Sequence, residues 1–192
     1  YRRILAVGGA STPAERLQQM VSRTLAIAEE FRPTVLHTTT NYTNALVTEA
    51  VARTLGLPWV YEVRGQLEKT WLASLPVPDR AAGAESERYT LLRAKETEMM
   101  LAADHVVALS ETLREDLLER GVPAERIAVV PNGVDASLVE LRLEPGQARA
   151  LAGLPEEGFW VGTVSSLAAS EGLAPLPDAA AVLRAAGRDV RG

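Results

Sequence analysis

The sequence predicts an α/β protein: a mostly parallel, Rossmann-like sheet, followed by the first βα unit of a second such domain. Three observations predict it. Short apolar runs of strand length alternate with stretches carrying an i, i+3, i+4, i+7 stripe, the order that builds right-handed βαβ units. The runs are almost unbroken, as in strands covered on both faces. A chain of 192 residues with 47% hydrophobic and 23% charged side chains is globular in composition, and long enough for one domain plus part of another.

The elements follow in order. Ile4 to Val7 is a short run ending in Gly8-Gly9. Ser11 or Thr12 caps a helix with Pro13 in its first turn. Leu17, Met20, Val21, Thr24, Ile27, Ala28 and Phe31 form its buried stripe, and Pro33 stops it. Thr34 to Thr38 reads as a strand, and Asn44 to Leu55 as a helix capped by Asn44 and closed by Gly56. Trp59 to Arg64 is the next strand, ended by Gly65. Residues 74–83, rich in Pro, Ala and Gly, read as a surface loop before a long helix from about Glu85 to Ala102. His105 to Leu109 is a strand; Ser110 caps a helix that Gly121 closes; Ile127 to Val130 is a strand leading into Pro131-Asn132-Gly133.

After Asp135 the order weakens, with Pro145, Gly146, Gly153 and Pro155 punctuating the chain. Phe159 to Val164 is another strand and Ala179 to Ala186 another helix. One strand and one helix cannot build a core alone. The expected organisation is a first domain over residues 1–133, a linker over 134–157, and the start of an incomplete second domain over 158–192. The opening at Tyr1 instead of Met reads as a trimmed or excised segment. The apolar faces of the tail are expected to find cover on the first domain or on a second copy in a swapped homodimer.

Composition narrows the function classes. Twenty basic against 25 acidic residues give a net charge of −5, which excludes a generally basic nucleic-acid surface. Cysteine is absent, so there is no disulfide framework, thiolate zinc site or cysteine nucleophile. The two histidines, His37 and His105, are far apart in sequence and form no metal-ligand cluster. No apolar stretch reaches the ~18 residues of a membrane span, and no signal-peptide core opens the chain. A cytoplasmic protein is expected, with peripheral attachment at the inner membrane face as the alternative. Neither G-x-G-x-x-G, a phosphate-binding P-loop, Asp-x-Asp nor G-x-S-x-G occurs.

Ligands of open parallel sheets bind at the carboxyl ends of the strands. That rule selects four loops: His37 to Asn44, Arg64 to Glu68, Ser110-Glu111, and Ser165 to Gly172. The first carries His37, Asn41, Tyr42 and Asn44, a polar cluster that also suits plain helix capping. In the second, Arg64 is a fixed cation whose planar fork suits phosphate or carboxylate, and Gly65 lets a ligand approach the backbone. An ion pair of Arg64 with Glu62 or Glu68 explains the same residues equally well. Glu96 falls on the apolar stripe of the long helix, where a buried partner such as an Arg explains it better than catalysis does.

Four strings resemble, in order, successive segments of family four (group 1) glycosyltransferases of the GT-B fold: RPTVLHTTTNYTNAL, LGLPWVYEVRGQLEKTW, AADHVVALSETLREDLLERGVPAERIAVVPNGVD and VGTVSSLAASEGL. The Ser-Glu-x-Leu-Arg helix followed by Val-Pro-Asn-Gly-Val-Asp is the most specific part. The resemblance implies two Rossmann-like domains, the first holding the acceptor and the second the nucleotide-sugar donor. It makes Asn132, Gly133 and Asp135 the hinge. Arg64-Gly65 stands where many relatives carry His-Gly, with Glu68 at the following acidic position, so Arg64 and Glu68 are the implied catalytic pair. His37, Asn41, Tyr42, Asn44, Gly65, Ser110 and Glu111 fall on the acceptor side. Ser165, Ser166 and Leu167 match the loop that approaches the donor diphosphate, and Glu171-Gly172 lie where relatives carry Lys-Gly.

The implied activity is bacterial, retaining and metal-independent transfer of a sugar to a glycan, a lipid-linked glycan or a small molecule. A nucleotide-sugar is the co-substrate, and there is no other cofactor. His37 comes early for the family, so leading βα units are expected to be missing. The family's Glu-x7-Glu pair is expected past Gly192; Glu111 and Glu119 share its spacing by accident. The isolated chain is then expected to be inactive. The alternative is a non-catalytic binding or assembly module on the same scaffold.

Overall fold

A computed structural model describes residues 12–155, 157–165 and 171–191. The run from Ile4 to Gly9, the capping candidate Ser11, and Ser166 and Leu167 lie outside the described residues. The chain divides into two compact units, Tyr1–Asn132 and Gly133–Gly192.

In the first unit, β1 (Leu36–Thr39), β2 (Trp59–Val63), β3 (His105–Ala108) and β4 (Ile127–Val129) form one parallel sheet in the order β1-β2-β3-β4. Leu36 pairs with Trp59, Tyr61 with Val106, and Ala108 with Val129. Each crossover steps one strand the same way, so right-handed connections bring the intervening helices to one face. Those helices are α2 (Tyr42–Leu55), α3 (Leu67–Ser74), α4 (Arg80–Ala84), α5 (Glu87–Ala102) and α6 (Glu111–Glu119). α1 (Pro13–Phe31) precedes β1 and lies against α2. Thr12 closes a capping box with Glu15 at its start, and Arg32 ends it in the left-handed conformation.

The core lies between this face of the sheet and α2, α5 and α6. Trp59, Tyr61, Val63, Val106 and Ala108 meet Ala45, Ala52, Met99, Met100 and Leu117 there. The two-residue period of the strands sends His37, Val60, Glu62, His105, Val107 and Ala128 to the other face, where none is buried. That corrects the expectation of strands covered on both faces among the described residues. Val60 and Val107 suit a pleated surface by their β-branching, so an unbroken apolar run did not require cover on both sides.

Local boundaries also differ from the sequence reading. Asn41, not Asn44, caps α2, its Oδ1 accepting the Thr43 N–H at 3.0 Å. Residues 74–83 are mostly helical: a 3₁₀ turn (Val77–Asp79) leads into α4, because the alanines there favour helix over loop. Arg80 ties the segment down by donating to the Ala73 and Leu75 carbonyls at 2.9 and 3.1 Å. Phe31, assigned to the stripe of α1, stands 79% exposed, and Ala28 is the buried residue of that helix.

In the second unit, α7 (Ala136–Glu140) and α8 (Pro145–Leu151) occupy the expected linker. β5 (Phe159–Trp160) pairs in parallel with β6 (Val190–Arg191), and α9 (Pro175–Ala185) connects them. The strand expected to run to Val164 is two residues long, and β6 was too short to be read from pattern. Val190 is this unit's buried hydrophobic among the described residues, while Leu138, Leu151, Phe159 and Val182 are exposed. Among the described residues no helix is long and apolar enough to cross a membrane.

Candidate functional site

The carboxyl ends of β1 and β2 are joined by Thr40. Its N–H donates to the Glu62 carbonyl at 3.0 Å, and its Oγ1 accepts the Arg64 N–H at 2.8 Å. Beside this clip the Glu62 carboxylate lies between His37 and Arg64. His37 Nε2 is 3.0 Å from Glu62 Oε2, and Arg64 Nε is 3.8 Å from Glu62 Oε1. The His37 and Arg64 side chains are 52% and 54% exposed, that of Glu62 only 18%. A Cβ on Gly65 would meet no atom within 4 Å, so the space next to Arg64 is open. Of the two pairings considered for Arg64, the one with Glu62 is present.

Glu68 goes elsewhere. α3 begins at Leu67, and this turns Glu68 inward, where it is fully buried and accepts from Arg120 Nη2 at 2.5 Å. Asp116 on α6 accepts from Arg120 Nε at 2.7 Å, from Gln66 Nε2 at 2.5 Å and from Lys69 Nζ at 2.8 Å. Partial burial pushes the Asp116 carboxyl up, but hydrogen bonds from Lys69 and Arg120 outweigh it and hold it below the usual range. The segment after Gly65 is thus fastened to α6 by four charged side chains and Gln66. Glu68 Oε2 and Arg120 Nη1 are buried without hydrogen-bond partners, so this pair is imperfectly satisfied.

Glu96 has a different partner from the arginine expected for it. It accepts the Tyr61 hydroxyl at 2.5 Å and the Tyr42 N–H, at the start of α2, at 2.8 Å. Burial raises its carboxyl above the usual range, although both hydrogen bonds pull the other way. Burial first, then the bond to Glu96, pushes the Tyr61 phenol far up.

The remaining predicted residues divide by role. Asn41 is a cap, Tyr42 packs against the core, and Asn44 Nδ2 donates back to the Thr39 carbonyl at 3.3 Å. Ser110 caps α6, its Oγ accepting the Leu113 N–H at 3.2 Å, with Glu111 exposed in the first turn. The boundary between units falls between Asn132 and Gly133. Asp135 caps α7 by accepting from Ser137 N at 2.8 Å. Ser165, Glu171 and Gly172 belong to the second unit, and Gly172 takes a left-handed φ of 67°. Sequence reasoning weighed Glu62 only as a pairing partner. Its i, i+2 spacing to Arg64 on a strand was the available signal, but the register that brings His37 alongside was not. Among the described residues no group of three or more His, Cys, Asp or Glu could hold a metal ion.

The family description that matches the sequence, over residues 2–133, is the glycosyl transferase 4-like domain. A solved glycosyltransferase from Rickettsia africae is similar at 15% identity and a TM-score of 0.51, over 82% of this chain and 37% of its own. A UDP-GlcNAc 2-epimerase from Methanocaldococcus jannaschii is similar at 19% identity and a TM-score of 0.42, over 65% of this chain and 30% of its own. A UDP-N-acetylglucosamine 2-epimerase from Rickettsia bellii gives 14% and 0.47, over 94% of this chain and 44% of its own. The chain therefore spans less than half the length of each. No curated protein matches it.

Proposed function

The chain belongs to the family of glycosyl transferase 4-like domains, and on that premise we propose that the protein carrying it moves a sugar from a nucleotide-sugar donor to an acceptor hydroxyl. The bond from the sugar C1 to the diphosphate oxygen breaks and the bond to the acceptor oxygen forms on the same face of the ring. The acceptor proton leaves with the diphosphate. Such a step needs preorganised charge where the diphosphate departs. The observation that carries the reading is Arg64: a guanidinium at the carboxyl end of β2, 54% exposed, beside the open space at Gly65. A fixed cation there supplies charge stabilisation without a metal, and the chain has no Asp-x-Asp to hold one. His37, in contact with Glu62 on the neighbouring strand, extends this cluster toward the acceptor side. The backbone N–H groups of Ser165 and Ser166 are the proposed phosphate donors of the second unit.

Incubation with a panel of nucleotide-sugars and glycan, lipid-linked and small hydroxyl acceptors tests this, following released nucleoside diphosphate with and without EDTA. EDTA-insensitive release, with the donor's anomeric configuration kept in the product, supports retaining, metal-independent transfer. The 192-residue chain is expected to release none alone, because it spans 37% of the length of the glycosyltransferase it resembles. Saturable nucleotide-sugar binding without release by the protein from the complete reading frame would favour the binding-module alternative.

A further inference from the structure

The two exposed side chains of the candidate site are tied to one half-buried carboxylate. Arg64 directly follows β2, two positions after Glu62, and its guanidinium lies against the Glu62 carboxylate. The parallel register sets Thr39 opposite Glu62 and His37 opposite Val60, which makes His37 the diagonal neighbour of Glu62. Each carboxylate oxygen then serves a separate partner, Oε2 the imidazole and Oε1 the guanidinium.

The consequence lies in what those partners turn outward. With Nε facing Glu62, Arg64 presents its Nη1–Nη2 edge, which has no partner among the described residues. With Nε2–H donated to Glu62, His37 presents Nδ1, which donates to an oxyanion in the doubly protonated imidazolium form. The Arg64 backbone is fixed in turn by the Thr40 hydroxyl. We propose that Glu62 is a positioning residue, holding His37 and Arg64 as a two-pronged site for an oxyanion of the phosphate class. The inference rests on the glycosyl-transfer reading only for naming that oxyanion as a diphosphate.

The charge of Glu62 makes the idea testable by sign. A carboxylate this close repels an anion. If Glu62 acted through its charge alone, neutralising it would tighten anion binding. If it acts by orienting Arg64, neutralising it loosens binding despite the removed repulsion. Pyrophosphate is the probe, titrated into the chain while the Arg64 Nε–H and His37 ring signals are followed by NMR.

Wild type is expected to show saturable shifts at both residues. Glu62→Gln is expected to weaken binding by roughly fivefold, the scale of one exposed oriented pair. Glu62→Asp, which keeps the charge and retracts it by one methylene, is expected to weaken it at least as much. It also carries the comparison should Glu62→Gln fail to fold. His105→Gln, on the same face but outside the cluster, is the control and leaves binding unchanged. Tighter binding by Glu62→Gln, shifts that bypass Arg64, or no saturable binding by wild type each overturns the proposal. No turnover is read, so an absence of sugar transfer would fell the glycosyl-transfer reading and leave this result standing.

Discussion

The Tyr61 hydroxyl donates to the buried Glu96 carboxylate at 2.5 Å, joining the second strand of the sheet to the longest crossover helix of that unit. Because burial raises the Glu96 carboxyl, folding favours its protonated form more than the unfolded chain does. The associated stability is therefore complete below the ordinary carboxylate range and is lost as pH rises through the raised value. Urea unfolding across pH should show wild type losing ground to Glu96→Gln as pH rises, since the amide cannot ionise. Parallel pH curves for the two proteins would contradict the assignment.

Asp116 works with the opposite sign. Its lowered carboxyl contributes stability above the ordinary range, lost as pH falls through the depressed value. Its neighbour Arg120 offers the larger effect. Arg120→Met strands Glu68 in the interior and should cost about 3–5 kcal/mol in chemical unfolding. The double variant Arg120→Met/Glu68→Leu, which removes both charges, should recover most of that loss.

Arg64→Ala should leave the thermal midpoint nearly unchanged, because a half-exposed guanidinium 3.8 Å from its partner adds little to stability. In the protein from the complete reading frame, sugar transfer should fall by about 10²–10³-fold. A large loss of stability with normal transfer would reduce Arg64 to a structural ion pair.

Asn41→Ala removes the cap of α2 and should cost about 1 kcal/mol. Asn44→Ala loses exposed bonds of 3.3 and 3.5 Å to the Thr39 and Thr40 carbonyls and should cost about a few tenths of that. Equal losses would return the cap to Asn44.

Amide exchange should separate the two units. Tyr61 and Val106, fully buried in the sheet, should exchange last, and the Phe159 and Val190 amides of the two-residue strands far sooner. Protection of the latter that rises with protein concentration would reveal a homodimer through the second unit, the association expected from its exposed apolar faces.

The strands centred on Val60, Val107 and Val129 were legible because parallel strands need apolar runs bounded by turns, and these runs are unambiguous. The candidate site was legible in part. A cation after an apolar strand marks Arg64 whatever the details. Glu68 could not be placed, because whether it joins Arg64 or turns inward depends on where α3 starts. Its partner Arg120 lies 52 positions away. The bond between His37 and Glu62 depends on register, which a run of residues with no unique alignment does not specify.

The order of the sheet, the same in space as in sequence, also bears on how the chain is made. Each strand leaving the ribosome meets, as its neighbour, the strand completed just before it, with the intervening helices ready to cover the new seam. Among the described strands of that sheet, none has to wait for a distant segment or insert between two that are already joined. Growth of this kind is vectorial. An interruption leaves a shorter sheet with every pairing already formed still correct.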